Sequence, residues 1–285
     1  EWTIKSLIKK YSDFIAYPIK LKDEVLNSQK ALWLRSPSEI KEEEYKEFYH
    51  HVGKDWADPL KTVHYRAEGT MEYTSLLFIP SQKPFNYHFR DFEFGLDLYV
   101  KRVFITSASK DLLPPYLRFV KGLVDSSDLS LNVSREMLQH DRQVQKIQKG
   151  VTNKILNTLK DLLANDREKY EKFWENFGPT LKEGVPTDSS SKEKLQDLLL
   201  FHTTQSDKLT TLDEYVSRMK PDQKQIYFIS GESLSQIRNS PYLEALKNRN
   251  FEVLLLIDSV DEWMTEALKE FKGKALQSIT REDLD

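Results

Sequence analysis

The sequence contains no cysteine, which excludes disulfide bonds, thiol catalysis and metal sites that need thiolate ligands. Its six histidines show no HExxH spacing, so we expect no metal site. A chain without cysteine is typical of the reducing cytoplasm, and we predict a cytoplasmic protein. Secretion without disulfides is the alternative.

Long hydrophobic runs are missing as well. No stretch approaches the roughly 18 consecutive apolar residues of a membrane-spanning helix. The N-terminal region also lacks the charged, apolar and small-residue segments that make up a signal peptide. We therefore expect neither a membrane span nor an export signal.

The chain has no excess of positive charge and little glycine. Lys and Arg number 42 against 45 Asp and Glu, a net charge of −3, so no global field attracts nucleic acid or an anionic membrane. Only nine glycines occur, and neither GxxxxGK[ST] nor GxGxxG is present. We expect no nucleotide pocket in this chain alone, and any phosphate contact has to be local.

Apolar residues are plentiful enough for two cores in a chain of 285 residues, since 39% are hydrophobic and 12% are aromatic. A capping-box pattern at Ser36 predicts a charged helix that ends near Gly53. Runs rich in β-branched and aromatic residues predict strands of an antiparallel or mixed sheet at 62–68, 72–80 and 96–106.

The region after residue 140 has helical spacing, with apolar residues recurring from Ile147 to Phe177. Residues 183–192 are rich in Gly, Pro and Ser and predict a flexible surface loop. After Pro221 the order strand, helix, strand, helix, strand predicts a short parallel sheet. We therefore predict an α/β fold: a larger α-β-α subdomain with a mixed sheet, a helical connector and a smaller α-β-α subdomain, over 1–140, 141–220 and 221–285.

One cation lies where a helix would disfavour it. Arg135 follows Ser134, a residue typical of an N-cap, and the positive end of a helix disfavours a nearby cation by about 0.3–1 kcal/mol. A phosphoryl group there would bind both the backbone N–H groups and the guanidinium. An ordinary ion pair within the loop is the alternative, with Asp125, Asp128 or Glu136 as the partner.

Two neighbours of Arg135 complete this candidate site. Gln139 lies four residues later, so it shares a helix face with Arg135 and can address the same ligand. Asn132 can fix the backbone of the loop by side-chain hydrogen bonds.

Residues 124–139, VDSSDLSLNVSREMLQ, resemble the middle-domain catalytic loop of the heat-shock protein 90 chaperone family, and most closely its bacterial type. One departure is Ser130, where many members have proline. Other segments resemble the family in the same order: YSDFIAYPI at 11–19, ALWLRSPSEIKEEEYKEFYHHV at 31–52, EYTSLLFIPSQKPF at 72–85, LYVKRVFIT at 98–106 and VLLLIDSVDEWM at 253–264.

The resemblance implies an ATP-dependent chaperone that acts in protein folding and the heat-shock response. Arg135 would reach the γ-phosphate of ATP, which an N-terminal domain binds with Mg²⁺, and Gln139 would help to order the closed state. The chain starts at Glu1 without methionine, and we interpret it as an excised piece without the N-terminal domain and the C-terminal dimerisation domain. We expect this piece to be monomeric and inactive alone, and the resemblance implies that the full-length protein is a homodimeric ATPase.

Aromatic residues set among charges form a second candidate site. The resemblance implies that unfolded or partly folded client proteins bind amphipathic surfaces of this domain. The candidate client-binding residues are Trp33, Phe85, Tyr87, Phe89, Phe92, Phe94 and Trp263. Burial is the alternative, either on the inward face of a strand for 85–94 or on an apolar helix stripe for Trp263.

Two other functions remain open at this point. The chain could be a pure interaction scaffold in which SREMLQ is only the start of a helix. It could also be a free-standing enzyme that uses the small α/β unit after Pro221.

Overall fold

The structure is a computed structural model that describes residues 1–53, 55–69, 71–129 and 141–280. The chain divides into two compact units, Glu1–Thr158 and Leu159–Asp285, and it passes from one to the other within a single helix. The catalytic-loop candidates Asn132, Arg135 and Gln139 lie outside the described residues.

The first unit combines helices with seven strands among its described residues. Its helices are α1 (Trp2–Tyr11), α2 (Glu42–Gly53) and most of α3 (Arg142–Asn165). Short 3₁₀ turns occur at Leu32–Leu34, Pro37–Glu39, Lys110–Leu112 and Pro115–Leu117. The strands are β1 (Lys20–Leu21), β2 (Glu24–Val25), β3 (Pro59–Ala67), β4 (Tyr73–Pro80), β5 (Leu96–Val100), β6 (Val103–Ser109) and β7 (Lys121–Ser126).

The main sheet of the first unit has the strand order β3-β4-β7-β5-β6. Three neighbouring pairs are antiparallel and β5–β7 is parallel, so the sheet is mixed, as predicted. All eight residues of β4 are buried. Strands that are covered on both faces lose the alternation of apolar and polar residues, which is the pattern of β4.

Strand β7 runs directly into residues 127–140, which contain the candidate loop, and the sequence analysis did not predict this strand. Its second residue, Gly122, has a φ of +126°, and a Cβ there would lie 2.1 Å from the Leu76 carbonyl oxygen. Only glycine allows this close approach to β4.

Strands β5 and β6 form a hairpin where one continuous run was predicted. Its turn residues, Lys101 and Arg102, both have positive φ, at 50° and 68°. Tight hairpin turns favour this backbone, and Gly, Asn or Asp normally supplies it. The turn therefore carried no sequence signal.

The second unit contains shorter elements around its own sheet. Its helices after α3 are α4 (Arg167–Lys182), α5 (Gly184–Thr187), α6 (Lys192–Gln196), α7 (Leu212–Arg218), α8 (Leu234–Arg238), α9 (Tyr242–Asn248) and α10 (Asp261–Leu268). Its strands are β8 (Leu200–Thr203), β9 (Thr210–Thr211), β10 (Ile226–Ser230), β11 (Val253–Leu256), β12 (Glu270–Phe271) and β13 (Lys274–Ser278).

This second sheet has the order β12-β13-β10-β11-β8-β9. The predicted parallel centre is confirmed, since β10 pairs in parallel with both β11 and β13. The sheet as a whole is mixed, because β8 and β12 add antiparallel pairs. It also draws on residues 200–211, before the predicted start of the small subdomain at 221.

Two local predictions are wrong. Residues 183–192 contain helix α5 and the start of α6, and Val185 and Ser191 are buried, so they do not form a flexible loop. Ser36 precedes only a 3₁₀ turn and makes no side-chain cap bond, and α2 starts at Glu42. The helical connector consists of two helices that meet at Asp166, whose carboxylate accepts the Lys169 N–H and caps α4.

None of the helices in the described part of the chain is both long enough and apolar enough to cross a membrane.

Candidate functional site

The described chain leads into the candidate loop through residues 125–129. Ser126 Oγ donates to the Glu72 carbonyl at 3.3 Å and accepts the N–H groups of Asp128 and Leu129, also at 3.3 Å. Asp128 Oδ2 accepts the Glu72 N–H at 2.6 Å. The start of the loop is therefore fastened to the residue just before β4 by short side chains from its own sequence.

Asp125, at the end of β7, is a buried carboxylate with two donors. Its Oδ2 accepts the Trp33 indole N–H at 2.8 Å, and its Oδ1 accepts the Arg102 backbone N–H at 3.2 Å. Burial raises the pKa of Asp125 above its ordinary value, and the hydrogen bond from Trp33 opposes that rise. The aspartate thus ties the strand that precedes the loop to two distant parts of the first unit.

A cavity of about 660 Å³ opens beside this strand end. Four cationic side chains and two carboxylates line it: Arg35, Arg66, Lys101, Arg102, Glu72 and Asp125. Ser127 also lines it, so the cavity borders the point where the described chain approaches the loop. Arg35 is paired with Glu44 at 2.6 Å and Arg66 with Glu68 at 3.7 Å, so these neighbouring carboxylates balance the positive charge of the lining.

Trp33 is a core residue, and its assignment as client-binding is wrong for this fold. Its side chain is 1% exposed, and its ring packs against Phe14, Tyr99 and Phe48 with centroid distances of 4.7, 5.0 and 6.0 Å. The sequence showed Trp33 in a segment with charged residues. It did not show that Asp125, 92 residues away, supplies a hydrogen-bond acceptor for the Trp33 indole N–H. The indole N–H therefore has a buried partner, which is what a buried tryptophan needs.

The segment 85–94 forms turns and irregular structure, so the alternative that it is a strand with an inward face is wrong. Tyr87 is 2% exposed and lies under the Arg118 guanidinium at 5.4 Å, so it presents no surface to a client. Lysines cover the half-buried Phe92 and Phe94, with Lys121 and Lys110 each 5.1 Å from the ring centroid.

Two aromatics of the same segment do face solvent. Phe85 is 90% exposed and Phe89 is 57% exposed. Their rings contact each other edge to face, with centroids 6.0 Å apart. The fold is therefore compatible with client binding by Phe85 and Phe89. It is not compatible with client binding by Trp33 or Tyr87.

Trp263 lies on α10 and is 69% exposed, although its neighbours Met264 and Leu268 are buried. The alternative that an apolar helix stripe buries this tryptophan is therefore wrong. A buried ion pair fixes the start of the helix, since Lys182 Nζ lies 2.6 Å from Asp261 Oδ1 and 2.8 Å from Asp258 Oδ2. Burial raises the pKa of Asp261, and the Lys182 charge opposes the rise.

Sequence reasoning missed the most exposed aromatic among the described residues. Trp56 is 96% exposed and lies between α2 and β3. It stands between Asp55 and Asp58 without a helical or strand pattern, and this isolation was the signal that could have found it.

Within the ranges that the structure describes, no group of three or more His, Asp or Glu side chains could hold a metal ion.

Comparison with known proteins identifies the family. The family model described as "Hsp90 protein" matches residues 21–285. Chaperone protein HtpG of Bdellovibrio bacteriovorus is 69% identical over 100% of this chain and 46% of its own length. The proteins of the same name from Geobacter sulfurreducens and Francisella tularensis subsp. novicida are 47% and 49% identical, over 100% and 99% of this chain and 48% of their own lengths.

The chain thus spans about half the length of the curated relatives it matches. Because the family model covers nearly the whole chain, including the segments on both sides of the candidate loop, this protein belongs to the Hsp90 family.

Proposed function

We propose that this chain is the middle segment of an ATP-dependent molecular chaperone and that it completes an ATPase site held mainly by another domain. The observation that carries the proposal is the family match across residues 21–285, which includes the SREMLQ segment. The relatives named chaperone HtpG are longer than this chain, which leaves room in them for a nucleotide domain. The cofactor would be ATP with Mg²⁺ as the counter-ion of its phosphates, and hydrolysis would break the bond to the γ-phosphoryl group.

Arg135 is the residue that we assign to the transferring phosphoryl group. Negative charge on the phosphoryl oxygens changes during hydrolysis, and a guanidinium placed beforehand stabilises it with two parallel N–H donors. Gln139 orders the closed arrangement from the same helix face, and Asn132 holds the loop backbone. Adenine recognition and activation of the attacking water belong to the N-terminal domain.

The described residues before the loop support this role. Asp125 and Asp128, two of the three partners that an ordinary loop ion pair could use, already accept hydrogen bonds from Trp33 and from the Glu72 backbone. These bonds also fix the start of the loop against the sheet. A catalytic arginine benefits from such support, because a small misplacement of a catalytic group lowers the rate strongly.

The second part of the proposal concerns clients. Phe85, Phe89 and Trp263 are large apolar side chains that face solvent and could contact unfolded or partly folded polypeptides. The same chaperone would act in protein folding and in the heat-shock response, in the cytoplasm where ATP is available. Its partners would be client proteins, its own N- and C-terminal domains, and a second subunit in the full-length homodimer.

Mixing the chain with a separately produced N-terminal domain and ATP tests the ATPase part. The proposal expects hydrolysis that the chain stimulates, and no hydrolysis by the chain alone. No stimulation would favour an interaction scaffold, and activity of the chain alone would favour a free-standing enzyme.

Isothermal titration with ATP and Mg²⁺ is a second check on the isolated chain. No tight binding is expected, since the sequence has no phosphate-cradling motif. A low-micromolar dissociation constant would contradict the assignment of the nucleotide site to another domain.

A further inference from the structure

A small cavity in the second unit combines an apolar floor with cationic side chains. It has a volume of about 300 Å³, and its lining comes from the segments 204–205, 238–247 and 250–253. These segments follow β8, span the helices α8 and α9, and lead into β11. The volume lies at the small end of the range of ligand pockets, roughly 300–1,000 Å³.

Three buried side chains, Leu243, Phe251 and Val253, form the apolar floor. The end of α9 places Phe251 there. Asn250 has a φ of 55°, and the Phe251 N–H donates to the Leu246 carbonyl at 2.9 Å, the bond that closes a helix after a left-handed residue. The floor can therefore receive an apolar group of a ligand without rearrangement.

The residues after β8 form a wall that is tied to the rest of the cavity. Thr204 Oγ1 accepts the Val253 N–H, and the Thr204 N–H donates to the Val253 carbonyl, both at 3.0 Å. Gln205 Nε2 donates to the Asn250 carbonyl at 3.1 Å. These bonds hold the cavity in a preformed shape, which lowers the cost of binding a ligand.

Two cations line the cavity, and none of its described lining residues is acidic. Arg238 is the last residue of α8, and Lys247 lies in the last turn of α9. Helix C-termini favour cations in general, but this preference does not explain why both cations line the same cavity. Their convergence makes the cavity locally positive in a chain with a net charge of −3.

The existing partner of Arg238 can be replaced by a ligand. Both terminal nitrogens of Arg238 lie 3.4 Å from a single oxygen, Asp207 Oδ1, and the Asp207 side chain is 96% exposed. An exposed ion pair contributes little, whereas a carboxylate that offers two oxygens matches the guanidinium fork. Within the described chain, no carboxylate lies within ion-pair distance of Lys247.

Two exposed side-chain amides, from Gln205 and Asn250, complete the lining. An amide side chain has both donors and acceptors, so it can pair with a peptide group. The cavity therefore offers partners for a carboxylate, an apolar group and an amide in close proximity. The last residue of a polypeptide carries these three groups on one α-carbon.

We propose that this cavity binds the C-terminus of a polypeptide whose last residue is apolar. The terminal carboxylate lies between Arg238 and Lys247, the last side chain occupies the floor, and the last peptide group pairs with the amides. Capture of a terminal carboxylate is an established mode of peptide recognition. The cavity borders the start of β11, whereas open α/β sheets bind nucleotides at the carboxyl ends of their strands.

An NMR titration of the isotope-labelled chain with two short peptides tests the proposal. Both peptides are N-acetylated and end in leucine, one as the free acid and the other as the amide. The free acid should bind with a dissociation constant below about 1 mM, at least about tenfold more tightly than the amide. It should also shift the backbone signals of Gln205 and Phe251. Equal affinity of the two peptides, or no binding of the free acid, would overturn the proposal.

Variants locate the carboxylate. Arg238→Gln and Lys247→Gln should each weaken binding of the free acid by about tenfold and leave binding of the amide unchanged. Both side chains are exposed, so circular dichroism should remain that of wild type. Arg249→Gln removes the same charge from an exposed position outside the lining and should bind like wild type. An equal loss in all three variants would mean that only net charge matters, against the proposal.

Changes in the ligand test the floor and the amides without disturbing the core. A free-acid peptide that ends in glycine should bind at least about tenfold more weakly, because it buries no apolar side chain. Isocaproate has the carboxylate and side chain of leucine but no peptide group, and it should also bind more weakly. If isocaproate binds as tightly as the peptide, the cavity is a site for free aliphatic carboxylates and the proposal is wrong.

The last ligand separates a chain end from an internal acidic segment. A peptide amide with a glutamate beside an internal leucine carries the same charge and the same apolar side chain on two different residues. It should bind at least about tenfold more weakly than the free acid, because its carboxylate and apolar group do not share one α-carbon. Equal affinity would assign the cavity to internal acidic segments and overturn the proposal.

Discussion

Trp33 and Trp263 were both candidate client-binding residues, but they have opposite environments in the structure. Each is a single tryptophan within a segment that also carries charged residues, yet Trp33 is enclosed in the core of the first unit and Trp263 faces solvent from α10. Asp125 and three aromatic rings surround the first indole. The second rises from a helix whose opposite face is buried.

The difference teaches that the environment of a tryptophan depends on distant partners. The Asp125 carboxylate gives the Trp33 indole N–H an acceptor in the core, which removes the main cost of burying it. The fold gives Trp263 no such enclosure, and the buried Lys182–Asp261 pair instead fixes the helix that presents it. Trp33 therefore stabilises the core, whereas Trp263 is part of the proposed client surface.

The largest expected effect is on stability, from Trp33→Ala. Truncation of a buried tryptophan costs about 3–5 kcal/mol of the free energy of unfolding, and here it also leaves the Asp125 carboxylate without its indole donor. Urea denaturation of the first unit, monitored by near-ultraviolet circular dichroism, measures this loss of stability. Trp33→Phe keeps ring packing but not the N–H, so its loss should be smaller; an unchanged midpoint for Trp33→Ala would contradict the core assignment.

An intermediate effect is expected from acid at His64, which contacts Trp33. Its Nε2 donates to the Trp33 carbonyl at 2.8 Å, and the Tyr45 hydroxyl lies 2.7 Å from its Nδ1. Burial lowers the pKa of His64 below its ordinary value of 6.5, and the bond to the Trp33 carbonyl opposes that. The unfolded chain thus takes up this proton at a higher pH than the folded one.

The stability that neutral His64 contributes is therefore present above pH 6.5 and is lost as the pH falls through the lowered value. The melting temperature of the first unit should fall on acidification, and less steeply in His64→Gln. His202 in the second unit also has a lowered pKa, chiefly through burial, so the two units have to be followed separately. An equally steep fall in wild type and His64→Gln would exclude His64 as a source.

The smallest stability effect is expected from Trp263→Ala. Substitution at an exposed position usually changes the free energy of unfolding by no more than about 0.5 kcal/mol, and Trp263 is mostly exposed. The proposed role predicts that the same variant loses part of its ability to suppress client aggregation. Destabilisation as large as that of Trp33→Ala would erase the contrast between the two tryptophans.

The sequence predicted much of the fold where periodic patterns are strong. The hairpin of β3 and β4, the parallel centre of β10, β11 and β13, and the long helical region all followed from hydrophobic spacing. The sequence did not predict strand β7, because a glycine such as Gly122 normally disfavours a strand, although the close contact with β4 requires a glycine here. The sequence did not predict the Lys101–Arg102 turn, because neither residue type normally adopts positive φ.

The two candidate sites also differed in how far the sequence could predict them. A local motif predicted the loop residues, and they remain a proposal supported by the family match and by the bonds at 125–129. The aromatic candidates depended on tertiary environment, which sequence spacing does not contain. Phe85, Phe89 and Trp263 are exposed, whereas Trp33 and Tyr87 are buried and Trp56 was overlooked.

The most direct test of the central claim is steady-state ATP turnover of Arg135→Ala in the full-length protein at saturating ATP. Loss of a donor to developing charge is typically worth about 10²–10³ in rate, so we predict a strong fall in kcat with nucleotide affinity nearly unchanged. Arg135→Lys should recover little, because an ammonium cannot reproduce the planar fork, and Gln139→Ala should be milder. Turnover of Arg135→Ala above about half the wild-type rate would contradict the claim and make Arg135 a structural ion-pair partner.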